Sequence, residues 1–138
     1  MNKPLPFKYN DGGRSQYYKA KDVRDCVTRA ISIVTGKDYK EVYNYLKELT
    51  GETPRNGVKK KYSKVALKNL GGEWHPTMGI GTGCTTHLRE GELPVRGKLV
   101  CQMGHHLTTV IDGVVNDTFE PGPDRCVYGY WTFDDNGK

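Results

Sequence analysis

The stretch "HLTTVIDGVVNDTF" (His106 to Phe119) constrains the fold more than any other part of the chain. Two β-branched runs flank Asp112-Gly113, a dipeptide suited to the two-residue turn whose twist matches that of paired strands. With Asp112 and Gly113 as the central turn residues, Ile111 opposes Val114, Val110 opposes Val115, Thr108 opposes Asp117 and His106 opposes Phe119. Opposed residues share a face, so His106 and Asp117 become diagonal neighbours, about 7 Å apart in backbone and within side-chain reach. His105 points away from Asp117 in this register. A slip of one residue would exchange the two histidines. The hairpin therefore predicts one imidazole beside one carboxylate, the pairing that orients a general base.

A second strong pattern lies far upstream, in "VRDCVTRAISIV" (Val23 to Val34). Cys26, Val27, Ala30, Ile31 and Val34 recur at the period of one helical face, with Asp25 before them as the expected cap and Gly36 after them as the stop. Cys26 is thus expected in the first turn of a helix, where the dipole favours a thiolate. Asp38 and Glu41 make a capping-box-like start to a second helix with Val42, Leu46 and Leu49 on one face. A third helix is predicted through "KKYSKVALKNL", with Tyr62, Val65, Ala66 and Leu70 inward, ending at Gly71-Gly72. Beyond it the signals change to strands: "EWHPTM" as a short one, "KLVCQM" as a buried one, then the hairpin, and "RCVYGYW" last. Helices followed by an antiparallel sheet predict an α+β domain. The chain of 138 residues is the size of one such domain, with residues 1–20 read as an N-terminal arm or loop. A short helix is expected at "TTHLRE", after the glycine-rich "GIGTGC".

Several function classes fit poorly. No apolar run is long enough to span a bilayer, and the N-terminus lacks a secretory h-region, so a cytoplasmic location and no membrane partner are expected. The four cysteines, Cys26, Cys84, Cys101 and Cys126, are then expected as free thiols, Cys101 and Cys126 in the core. The net charge of +5 and the basic run "VKKKYSK" read as a solvated face, without the module pattern of a nucleic-acid binder. Gly79, Gly81 and Gly83 lack the following Lys-Ser/Thr of a phosphate loop, and no cofactor is expected.

The motifs "DCVTRAISIVTGKDYKEVYNYL", "GCTTHL", "GHHLTTVIDGVVNDTFEPG" and "RCVYGYW" together resemble a family of small phage and bacterial proteins with a papain-like cysteine peptidase look. The resemblance implies a helix bearing the nucleophile packed on an antiparallel sheet bearing the base. It gives Cys26 the nucleophile's place, His106 the base's and Asp117 the orienting residue's, the three that the hairpin and helix patterns select. The implied activity is hydrolysis of a peptide, isopeptide or related amide bond in a protein or peptide substrate, a host protein among the candidates. Papain-like peptidases carry a glutamine shortly before the cysteine as an oxyanion donor; here the nearest is Gln16, ten residues upstream, which takes that role by expectation beside the Cys26 backbone N–H. The loop holding Cys84 and His87 is assigned to the substrate groove. Two other readings stay open: a binding module that keeps the fold without the chemistry, and a zinc site around Cys84-x-x-His87 with Cys101, His105 or Cys126. The oligomeric state is not legible.

Overall fold

The computed structural model describes residues 2–19, 24–79 and 81–133. Val23 at the head of the cysteine-bearing stretch, and Ile80 in the glycine-rich loop, lie outside the described residues. The elements in chain order are β1 (Phe7–Tyr9), α1 (Cys26–Thr35), α2 (Tyr39–Thr50), α3 (Lys60–Asn69), β2 (Gly72–Pro76), β3 (Lys98–Met103), β4 (His106–Ile111), β5 (Val114–Asp117) and β6 (Gly129–Phe133), with short 3-10 turns at Arg14–Gln16 and Pro54–Asn56. One six-stranded sheet runs in the order β1-β5-β4-β3-β6-β2. The α+β class holds, but the sheet is mixed: β1 runs parallel to β5, with Phe7 opposite Val115 and Tyr9 opposite Asp117. The expected N-terminal arm is in part this edge strand. Its three side chains are all exposed, so the main chain makes the pairing and no alternating pattern announces it.

Side chains alternate across the sheet, and each face has its own core. Val100, Leu107, Trp131 and Phe133 pack with the apolar faces of the three helices, including Val27, Ile31, Val42, Leu46, Ala66 and Leu67. Leu99, Cys101, Met103, Val110 and Val115 face the other way, against Leu5, Leu88, Leu93 and Val127 from the connecting segments. Burying a large aliphatic side chain contributes about 1.5–3 kcal/mol, so two such clusters amply seat one sheet. The α1 stripe and the α2 stripe match the predicted spacing, and Gly36 and Gly51 close these helices at φ 74° and 75°. The Asp38 carboxylate accepts the Lys40 N–H at 3.1 Å, as a cap should. In α3 the buried face is Ser63, Ala66 and Leu67, whereas Val65, expected inward, is 44% exposed. No helix forms at residues 85–90; that segment is irregular and turns, with a bridge from Arg89 to Pro4.

The hairpin has the predicted register, with Ile111 opposite Val114, Val110 opposite Val115 and Thr109 opposite Asn116. Asp112 takes φ 48° and Gly113 φ 79°, the left-handed pair that this turn requires. No helix among the described residues is long and apolar enough to cross a membrane.

Trp74 of β2 and Trp131 of β6 pack with ring centroids 5.2 Å apart, and Trp74 lies directly over Gly129. A Cβ at 129 would penetrate the Trp74 ring and approach the His75 carbonyl to 3.0 Å. Overpacking of this kind costs about 1–3 kcal/mol. Gly129→Ala is therefore expected to lower the unfolding free energy by that amount, read as a lower urea midpoint at an unchanged m-value; an unchanged midpoint would show that Trp74 moves aside freely.

Candidate active site

Cys26, His106 and Asp117, far apart in sequence, come together where the start of α1 meets the start of β4 and the end of β5. Nε2 of His106 is 2.8 Å from Oδ2 of Asp117. That contact leaves Nδ1 as the ring nitrogen for the Cys26 thiol, whose ionisation is favoured by the neighbouring His106 side chain and Leu107 backbone N–H. Asp117 is 2% exposed and fully subscribed. Oδ2 also accepts the Thr108 hydroxyl at 2.6 Å, while Oδ1 accepts the Thr118 N–H at 2.7 Å and Nη2 of Arg29 at 3.2 Å. The Phe119 ring packs on the imidazole with centroids 5.0 Å apart, as the register predicted for that pair.

These contacts set the charges. Burial alone would raise the Cys26 thiol, but the hydrogen bond with His106, the Leu107 N–H and the charges of His106 and Arg29 together hold it below its ordinary 9.0. Burial alone would lower His106; hydrogen bonds to Asp117 and Cys26 outweigh it and raise the imidazole from 6.5 to about 9. Burial opposes ionisation of Asp117 too, and its hydrogen bonds with His106 and Thr108 win, lowering it. Both directions favour a thiolate beside an imidazolium near neutral pH. Cys101, by contrast, is wholly buried and pushed up to about 12, which makes it an inert core thiol.

Asp25 does not cap α1 with its side chain. Its carboxylate turns inward, where Oδ1 accepts Nη1 of Arg14 at 3.1 Å and Nη1 of Arg29, and Oδ2 accepts the Tyr39 hydroxyl at 2.7 Å. The negative charge next to Cys26 is thereby paired with two guanidinium groups. Arg29 holds Asp25 with one nitrogen and Asp117 with the other, so it ties the α1 N-terminus to the carboxylate behind His106. Gly12 lets the preceding loop approach this helix closely, since at φ 69° it sits where a Cβ would lie 3.1 Å from the Arg29 carbonyl. Arg14, Arg29 and Tyr39 are absent from the sequence reading. The available signal was the (i, i+4) spacing of Asp25 and Arg29 on an otherwise apolar stripe.

Cys26 and His106 border an open cleft of about 1180 Å³, also lined by Arg24, Asn56, Lys59, His105 and Tyr128, with Asp117 behind the imidazole and outside the lining. Gln16 does not line it; the side chain is exposed in the 3-10 turn, beside Gly13, and the expected oxyanion role is corrected. Gln102 does line it, but its amide is spent on the Met103 carbonyl at 2.8 Å and the His106 carbonyl at 3.4 Å, bracing the turn before the base. His105, in that turn at φ 56°, is exposed and separate from Asp117. Cys84 and His87 are not among the cleft residues. Cys84 forms a disulfide with Cys126, which corrects the expectation of four free thiols and of a Cys126 in the core; Cys26 and Cys101 are the free pair. Among the described residues no group of three or more His, Cys, Asp or Glu side chains is arranged to hold a metal ion. No family model matches the chain, and no curated protein or solved structure matches it either.

Proposed function

We propose that the protein is a papain-like cysteine hydrolase that cleaves an amide bond by acyl transfer through Cys26. The carrying observation is the convergence of Cys26 on His106, whose imidazole is hydrogen-bonded to a fully held Asp117, at the edge of an open cleft. In the proposed reaction the Cys26 sulfur bonds to the carbonyl carbon and its π pair moves onto oxygen. The imidazolium of His106 gives its Nδ1 proton to the leaving nitrogen as the C–N bond breaks. Water then attacks the thioester, His106 takes a proton from it, and the Cys26 thiolate leaves as the acid forms, restoring the thiolate–imidazolium pair. Asp117 keeps the ring oriented and its charge balanced throughout.

The oxyanion donor nearest the sulfur is the Cys26 N–H. The first intrahelical bond in this turn runs from the Arg29 N–H to the Asp25 carbonyl, so the N–H groups of residues 26–28 have no partner within the helix. With the Asp25 side chain turned away, these dipoles remain available to developing negative charge. The cleft wall carries Arg24, Lys59 and Lys60 against Glu52, and α3 begins without an acidic residue in its first turn. A peptide with acidic residues flanking the scissile amide is the substrate class that suits this wall.

The reading is tested with a small activated ester as acyl donor. Intact-mass measurement is expected to show one acyl group on the wild type, mapped to Cys26 and cleared by water, and none on Cys26→Ser. Acylation spread over surface lysines, or retained in full by Cys26→Ser, would sink it.

A further inference from the structure

A second cysteine–histidine–carboxylate arrangement lies outside the cleft. Nε2 of His87 is 3.6 Å from Sγ of Cys84, and Nδ1 of His87 is 2.9 Å from Oε1 of Glu92, which also accepts the His87 backbone N–H at 2.9 Å. A carboxylate accepts only, so the Nδ1 proton is fixed on that side and Nε2 faces the sulfur with its lone pair. We propose that Cys84 and Cys126 form a redox-active pair that exchanges with small aliphatic thiols and their disulfides, with Cys84 as the attacking sulfur and His87 as its base.

Access distinguishes the two sulfurs. Cys84 is exposed, whereas Cys126 is half-buried, with Sδ of Met78 3.9 Å from its Sγ. An external reagent therefore meets Cys84 first. The main chain also keeps the pair adjacent without the bond: the Val127 N–H donates to the Thr86 carbonyl at 2.9 Å, and the Thr77 N–H to the Tyr128 carbonyl at 3.2 Å. A reduced pair stays in register for re-closure, so the second step is intramolecular.

In the reduced pair, Nε2 of His87 takes the Cys84 proton. The thiolate attacks one sulfur of a disulfide RSSR, forming Cys84–S–S–R and expelling RS⁻, which takes the proton from His87 and leaves as RSH. Cys126, its proton released to water, then attacks Sγ of Cys84. The second RS⁻ departs and is protonated from water. Two electrons and two protons pass from the dithiol to RSSR, and the reverse sequence reduces the pair.

The test uses the full oxidised chain with reduced glutathione near neutral pH under native conditions, quenching by alkylation and reading peptides by mass spectrometry. The wild type is expected to open through a mixed disulfide on Cys84. His87→Asn, which retains the disulfide, should slow release of Cys84 from that mixed disulfide by a second glutathione about five- to tenfold while its thermal unfolding stays unchanged, because the departing Cys84 thiolate loses its imidazolium partner. If that variant misfolds, Glu92→Gln, which frees the imidazole, is expected to slow the same release of Cys84 in the same direction. A bond that opens only after denaturation, a mixed disulfide on Cys126, or wild-type rates in the folded variants would each overturn the proposal.

Discussion

Replacing His106 by alanine is expected to slow alkylation of Cys26 by about 30-fold at about pH 6, read site by site by mass spectrometry. In the wild type, Cys26 is held below its ordinary value and His106 is raised to about 9, so the thiolate–imidazolium pair exists across neutral pH. The sign follows from each partner. As pH falls through the lowered Cys26 value the sulfur gains a proton and reactivity drops. As pH rises through about 9 the imidazolium loses its proton; the thiolate survives, but the acid needed by a leaving amine does not. Alkylation should therefore plateau at high pH, and acyl transfer should decline there. In His106→Ala burial is left without its main counterweight, and the thiol should titrate above an exposed cysteine. Equal pH profiles in the two proteins would remove the basis for the catalytic reading.

Arg29→Met is expected to destabilise the fold by about 3–5 kcal/mol, the cost of removing one partner from a buried ionic network. Arg29 is 5% exposed and serves two carboxylates that have no other shared cation. Its loss leaves Asp25 with Arg14 and Tyr39, and Asp117 with His106 and two hydroxyl or amide donors. The guanidinium charge also lowers the Cys26 thiol, so the alkylation profile of the variant should move to higher pH. Arg29→Lys is expected to recover part of the stability, since one ammonium cannot span both carboxylates as the planar fork does. Urea unfolding of the three proteins decides this. A change below about 1 kcal/mol in Arg29→Met would mean that the network is solvated in practice.

The hairpin was legible because each signal in it was local: the Asp112-Gly113 turn fixed the register, and the register chose His106 over His105. Cys26 was legible from helical spacing and the Gly36 stop. What escaped has a common cause, dependence on partners distant in sequence. β1 is recognised only by the strand it joins, because its exposed side chains carry no pattern. Arg29 is buried in a stripe read as apolar because Asp25 and Asp117 converge on it from both sides. Gln16 was selected for its residue type alone, and its turn places it outside the cleft. The Cys84–Cys126 bond closes across 42 residues, a pairing that spacing cannot show.

The parallel pairing of β1 with β5, together with the Arg29–Asp117 bridge across 88 residues, gives this site a high contact order. Loops of that length close before their contacts repay the lost entropy, which slows folding. During synthesis the helix that begins at Cys26 emerges well ahead of the strands that carry His106 and Asp117. Until those strands pair, Cys26 has neither the imidazolium nor the Leu107 amide that lower it, and its thiol behaves as an ordinary one. The nascent chain consequently carries an ordinary thiol at this position, and the lowering of Cys26 begins with the closing of the sheet edge.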